Sequence, residues 1–365
     1  MTRLQLATLI AFLAAAMPAR SEIAPDWYAG MMSDQGIEVQ ADARVFTLFA
    51  AFNALGYDAG PVARREPFPR PALDEARQTV RVDAPMSAAL ASQFQAFLDA
   101  HPLPLRVYVA FASALGAPPD FALGSEPAES APLRGLEQLL ARYYREAHLD
   151  ALYQKLLPQY RAALKGYLPR LDDALQRADG MLQPQPGDIP PPVLVVNLLD
   201  APGKAYGLRR GGSALLVVGP GADGKPEDLG AAVAAYAGVR AGAALAERAS
   251  AIKGLPELVE RVHRQGLPDG DLSPSDYLTA CFSLAVAAQA LPDFQQAAFA
   301  RAAAEGCWLT EDLSRSLVEL IGDKGPGGNP FESFVTERLG SLDVRKLSMS
   351  PPGADAAAPP RHRER

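Results

Sequence analysis

VLVVNLLDAPGKAYGLRRGGSALLVVGPGADGKPEDLGAAVAAYAGVRAGAALAER, residues 193–248, holds three apolar runs followed by one long alanine-rich segment. Val193 to Leu199 is apolar and rich in β-branched residues, the composition of a buried strand. DAPGK reads as a turn, AYGLRR as a second strand, and SALLVVG, after two glycines, as a third. Together they predict a small three-stranded meander. Leu229 to Arg248 is apolar nearly all round, which predicts a central, buried helix. A strand region feeding such a helix sets the fold class: α+β, predominantly helical, with a small central β-meander followed by a buried helix.

The connection between them, GPGADGKP (Gly219–Pro226), has the spacing G-x-x-x-x-G-K of a phosphate-binding loop. The chemistry fails at named positions. Pro226 stands where a hydroxyl would hold magnesium, and Pro220 removes a backbone donor from the cradle. Asp223 adds negative charge where a polyphosphate would sit. The glycines are better explained as the turn from a strand into a helix, with Glu227 and Asp228 complementing the helix dipole. Nucleotide binding through residues 219–226, with Lys225 on the phosphates, stays as a rival reading.

Outward from this centre the chain is mainly helical. Ala41–Gly56 has apolar residues at helical spacing and ends on a glycine. PVARREPFPRPAL is a proline-broken loop, and QTVRVD (Gln78–Asp83) alternates like a short strand. Met86–Asp99 and Leu105–Leu115 predict helices. Pro132–Gln176 is the longest helical region, and Pro158 and Pro169 are expected to break or kink it. QPQPGDIPPP (Gln183–Pro192) is a stiff linker. Leu255–His263, Pro274–Ala290, Pro292–Glu305 and Leu309–Ile321 predict further helices. The resulting division is 1–19, 20–184 (helical), 185–345 (sheet plus helices) and 346–365, a Pro/Ala/Ser tail expected to be disordered.

The first 19 residues follow the plan of a signal peptide: Arg3, an apolar run from Leu4 to Ala16, and a cut after Ala19. The expectation is therefore a periplasmic or secreted protein with no membrane contact after cleavage. With 48% hydrophobic and 21% charged residues the composition is globular, and a net charge of −7 without a basic stripe argues against nucleic acid as a partner. The two cysteines, Cys281 and Cys307, leave two readings open: one disulfide, or two buried thiols. Neither lies in a cysteine-hydrolase signature.

Signatures of catalysis are missing. Of the four histidines (His101, His148, His263 and His362), no two lie at metal-ligand spacing. There is no G-x-S-x-G elbow, and Ser213 precedes a strand. The acidic pairs Asp172-Asp173, Glu227-Asp228 and Glu311-Asp312 read as solvated faces or helix N-terminal charges. No cofactor is expected.

Three phrases, VFTLFAAFNALGYD (45–58), VYVAFASALGAPPDF (107–121) and VNLLDAPGKAYGLRRGGSALLVVGP (196–220), together with the buried helix after them, give an order of elements that resembles the core of zincin (gluzincin-like) metallopeptidases, among them exported bacterial proteins with zinc-peptidase features. The resemblance spans residues 40 to 320. It implies an H-E-x-x-H motif on the buried helix, two histidines holding zinc and a glutamate activating its water. The counterpart here is Ala234-Ala235-Tyr236-Ala237-Gly238, with Ala234, Ala235 and Gly238 at the positions that would do chemistry, and around Thr279-Ala280-Cys281-Phe282 no acid stands in the place expected of a further ligand. The implied role is non-catalytic: a scaffold without its metal, binding a peptide or protein in the former cleft or serving as a structural partner. An active hydrolase with an unconventional site, holding metal through carboxylates and His263, is the second alternative.

Overall fold

The computed structural model describes residues 28–57, 71–124, 128–182, 191–210, 212–221, 225–267, 272–324, 330–339 and 342–344. The signal-peptide segment, all of residues 58–70, most of the 183–192 linker, Asp223 and the C-terminal tail lie outside them.

Two strands precede the first helix. β1 (Tyr28–Met32) and β2 (Glu38–Asp42) form a hairpin. Its turn needs Gly36, which sits at a φ of 82°. Asp172 ties the turn down, accepting from Ser33 Oγ at 2.5 Å and from the Gln35 amide at 3.0 Å. β2 runs straight into α1 (Ala43–Ala54), whose first turn is capped by the Asp42 carboxylate accepting from the Arg44 amide at 2.8 Å. The Arg44 guanidinium pairs with the same carboxylate and reaches the Leu115 carbonyl at 2.8 Å.

β3 (Val193–Val196), β4 (Ala205–Arg210) and β5 (Ser213–Val218) join this hairpin in one five-stranded sheet, ordered β1-β2-β3-β5-β4. The expected meander is corrected here. β3 pairs in parallel with β2 and β5, and of the three strands expected in the meander only β4 and β5 form a hairpin. Burial explains the order. Leu194 to Val196 and Ala214 to Val218 are buried along their whole runs, so β3 and β5 take interior places. β4 carries the exposed Arg209 and Arg210 and goes to the edge. The sheet therefore draws strands from both sides of residue 185, and one hydrophobic core extends from Ala29 to Val344.

α2 (Pro71–Asp83), α3 (Ala88–Ala100), α4 (Leu105–Ala114), α5 (Leu136–Glu146) and α6 (Leu149–Leu182) follow α1. Two expectations fail in this region. QTVRVD is the end of α2 and not a strand, because Ala76, Arg77, Val80 and Ala84 are buried at helical spacing. Pro158 and Pro169 do not break α6. Both lie on its exposed side, as do Gln154 and Lys165, whose carbonyls lose their helical donors and can turn to water. The break falls instead at the exposed His148, which adopts a φ of 49° between α5 and α6.

The second half comprises α7 (Leu229–Ala249), α8 (Leu255–Arg264), α9 (Pro274–Ala290), α10 (Gln295–Glu305) and α11 (Thr310–Lys324). α7 packs on α9, α6, β4 and β5. By length and composition it could cross a bilayer, but here it is a core helix.

Candidate functional site

α7 is set in place at its N-terminus. The Asp228 carboxylate accepts from the Ala231 amide at 2.8 Å, and the Asp228 amide donates to the Tyr167 hydroxyl at 2.8 Å. Beyond this cap the helix presents alanine and glycine, which lets its neighbours come close. A Cβ on Gly238 would stand 3.2 Å from Ser283 Oγ of α9. A Cβ on Gly207 of β4 would overlap the carbonyl oxygen of Ala235, so only glycine lets β4 lie this near α7.

Where the small side chains do not fill the space, a cavity of about 480 Å³ opens between β4, α7, α9 and α10. Ala234, Ala235 and Gly238 all line it and are half-buried, whereas Val233 and Ala237 beside them are buried. Tyr236 does not line it. Its hydroxyl donates to Asp179 Oδ1 at 2.7 Å, and the Arg240 guanidinium lies over its ring. Burial and the Asp179 carboxylate both push the phenol well above its usual pKa, so it is a neutral donor.

The residues present do not fit a zinc ion. Ala234, Ala235 and Gly238 offer no donor atom, and the α9 wall adds Ser275, Thr279 and Ser283 with one acid, Asp276. Asp276 is engaged at the start of α9, accepting from Ser273 Oγ at 2.6 Å. Among the described residues no group of three or more His, Cys, Asp and Glu is arranged to hold a metal ion. His101 caps α3 with Nδ1 2.8 Å from the Phe97 carbonyl, and His148 and His263 are exposed. His362 lies outside the described residues.

β4, the last strand of the sheet, lines this cavity. The Gly219 amide donates to the Lys204 carbonyl at 2.8 Å, which makes Lys204 and Gly219 a hydrogen-bonded pair at the start of the β4–β5 ladder. Pairs alternate in an antiparallel ladder. Tyr206, Leu208 and Arg210 therefore bond to β5, while the backbone groups of Ala205, Gly207 and Arg209 point away from it. Ala205 and Gly207 line the cavity, and β4 has no second strand partner among the described residues.

The 219–226 loop serves a different place. The Gly221 amide donates to the Lys225 carbonyl at 2.9 Å, closing the turn. Lys225 lines a second cavity of about 360 Å³ at the start of α7, beside Glu227, Asp228 and Asp293. Arg170, Lys225 and Arg301 balance these three acids, so the lining carries no net positive charge for a polyphosphate. Of the other acidic pairs, Asp172 holds the β1–β2 turn, and Glu311 and Asp312 lie in the first turn of α11.

Cys281 and Cys307 are both buried, and no disulfide joins them. The Tyr277 hydroxyl lies beside both, donating to the Gly306 carbonyl at 2.8 Å and accepting from the Trp308 amide at 3.1 Å.

A buried carboxylate not singled out from sequence lies at the turn before β4. Asp200 is fully buried and accepts at Oδ1 from the Tyr57 hydroxyl at 2.8 Å and the Ala201 amide at 2.7 Å. Its Oδ2 has no hydrogen-bond partner among the described residues. Burial pushes its pKa up to about 6. Arg301 of α10 was also not singled out: it lines both cavities. Neither has a local motif, since one depends on a strand turn meeting the end of α1 and the other on α10 packing against α9.

Scans of this chain against family models, curated proteins and solved structures each return no match.

Proposed function

We propose that this chain is an exported protein with a metallopeptidase-like scaffold that has lost its zinc-binding residues, and that its cleft binds an extended peptide without cutting it. The observation that carries this reading is the pairing of two features across one cavity. On one side runs a strand edge with outward backbone groups at Ala205, Gly207 and Arg209. On the other, Ala234, Ala235 and Gly238 leave room where the scaffold would carry ligands. An added strand takes its affinity from main-chain bonds to such an edge, and neighbouring pockets read its side chains. At Ala234, Ala235 and Gly238 the ligands of a zinc peptidase are replaced by two methyl groups and a hydrogen, so these positions cannot hold a metal that would activate water.

The test is a titration of the isotope-labelled protein with acetylated pentapeptides, followed through backbone amide shifts. The reading expects the Ala205, Gly207 and Arg209 amides to move together on peptide addition, with the peptide intact after prolonged incubation with zinc. Cleavage that stops on chelation supports the hydrolase alternative instead, and shifts confined to residues near Lys225 on adding a nucleotide support the nucleotide one.

A further inference from the structure

The cavity is not neutral. Arg106, Lys204 and Arg301 line it against Asp276 and Glu305. Both acids are engaged within the protein: Asp276 accepts from Ser273 Oγ, and Glu305 Oε1 accepts from Arg301 Nε at 3.2 Å. Arg106 pairs at the rim with Glu129 at 3.0 Å. Arg301 is different. Its side chain is largely buried, at 21% exposure, and its Nη1 is shielded from solvent with no hydrogen-bond partner among the described residues. A guanidinium carries five donors in a planar fork and cannot discharge by losing its proton. A buried donor of a charged group left unmet is costly, and a carboxylate is the acceptor that matches its geometry.

We propose that Arg301 is the anchor for a carboxylate of the peptide that the cleft binds. This rests on the peptide-binding reading above and adds the chemical class of the ligand. Arg301 lines the same cavity as Ala205 and Gly207 of β4, and it lines the second cavity as well. A peptide laid along Ala205 to Arg209 by its main chain can present a carboxylate there, from its C-terminus or from an Asp or Glu side chain.

The experiment uses the full chain and three probes: acetyl-Ala-Leu-Ala-Leu-Ala as the free acid, the same peptide amidated, and amidated acetyl-Ala-Leu-Glu-Leu-Ala. At least one carboxylate-bearing probe is expected to bind about tenfold or more tightly than the neutral amide. Which one does so identifies the source of the carboxylate. Arg301→Gln is expected to abolish that preference while leaving the neutral peptide's affinity and the β4 amide shifts in place, and Arg301→Lys to restore part of it. Equal affinities for all three probes in the unmodified protein, with β4 amides still shifting, overturn the anchor alone. So does a preference that survives in Arg301→Gln. No β4 shift with any probe overturns the peptide-binding reading itself. The comparison of probes on the unmodified protein stands even if Arg301→Gln does not fold.

Discussion

α1 and α7 are both buried helices that reach the sheet, and they are filled in opposite ways. α1 brings Phe46, Phe49 and Phe52, and Phe46 meets Tyr153 and Tyr160 of α6 at ring-centroid distances of 5.1 and 6.3 Å. Phe49 and Phe52 meet Tyr57, Tyr206 and Tyr108. Large rings occupy the space between elements, and their edges and faces fit. α7 has alanine and glycine on the side facing α9 and β4, so its backbone comes near at Gly238 and Gly207 and leaves a cavity between. One half of the molecule spends its buried helix on stability, the other on a cleft.

The contrast can be broken most forcefully in the aromatic half. Phe46 is 1% exposed, and Phe46→Ala is expected to lower unfolding free energy by about 3–5 kcal/mol in denaturant titration. A loss below about 1 kcal/mol means that this region is not packed as described.

Asp200 sharpens the boundary between the halves, since Tyr57 and Tyr206, which ring Phe49, both meet its carboxylate. Its folded pKa of about 6 lies above the ordinary 3.8, so the fold prefers the protonated acid. Its contribution is fully present below pH about 4 and is lost as pH rises through about 6. The size is of the order of 3 kcal/mol. Asp200→Asn should remove that slope, read as the difference between the two proteins' denaturation midpoints at several pH values. Parallel curves for the two proteins contradict the assignment.

The smallest effect on stability is expected in the cleft. Ala234→Leu places its added methyl groups into open space, so stability should change by less than about 1 kcal/mol, while peptide binding at β4 is lost. A loss of several kcal/mol shows the cavity to be closed in solution.

How much of this was legible in sequence follows the range of the contacts involved. α7 and α9 were read almost to the residue because their apolar content and flanking signals are local: Asp228 caps one, and Ser273 with Pro274 opens the other. The three strands in residues 193–218 were also legible, but not their order, because β2, a partner of β3, lies some 150 residues earlier and overlaps at Ala41 a segment whose sequence predicts only a helix. Pro158 and Pro169 misled because a proline signals a lost donor but not whether the freed carbonyl faces water. At the site, Ala234, Ala235 and Gly238 could be singled out through an expected motif. Arg301, Asp200 and the free backbone groups of β4 could not, since each depends on which distant element arrives beside it.

The central claim is that β4 offers an open edge to a peptide, and hydrogen exchange along that strand tests it most directly. In the protein alone the amides of Tyr206, Leu208 and Arg210 should exchange slowly and those of Ala205, Gly207 and Arg209 fast, in strict alternation. Saturating peptide should slow the second set and leave the first unchanged. Equal protection of both sets in the protein alone would mean that the edge is already paired, and the account of the cleft would be wrong.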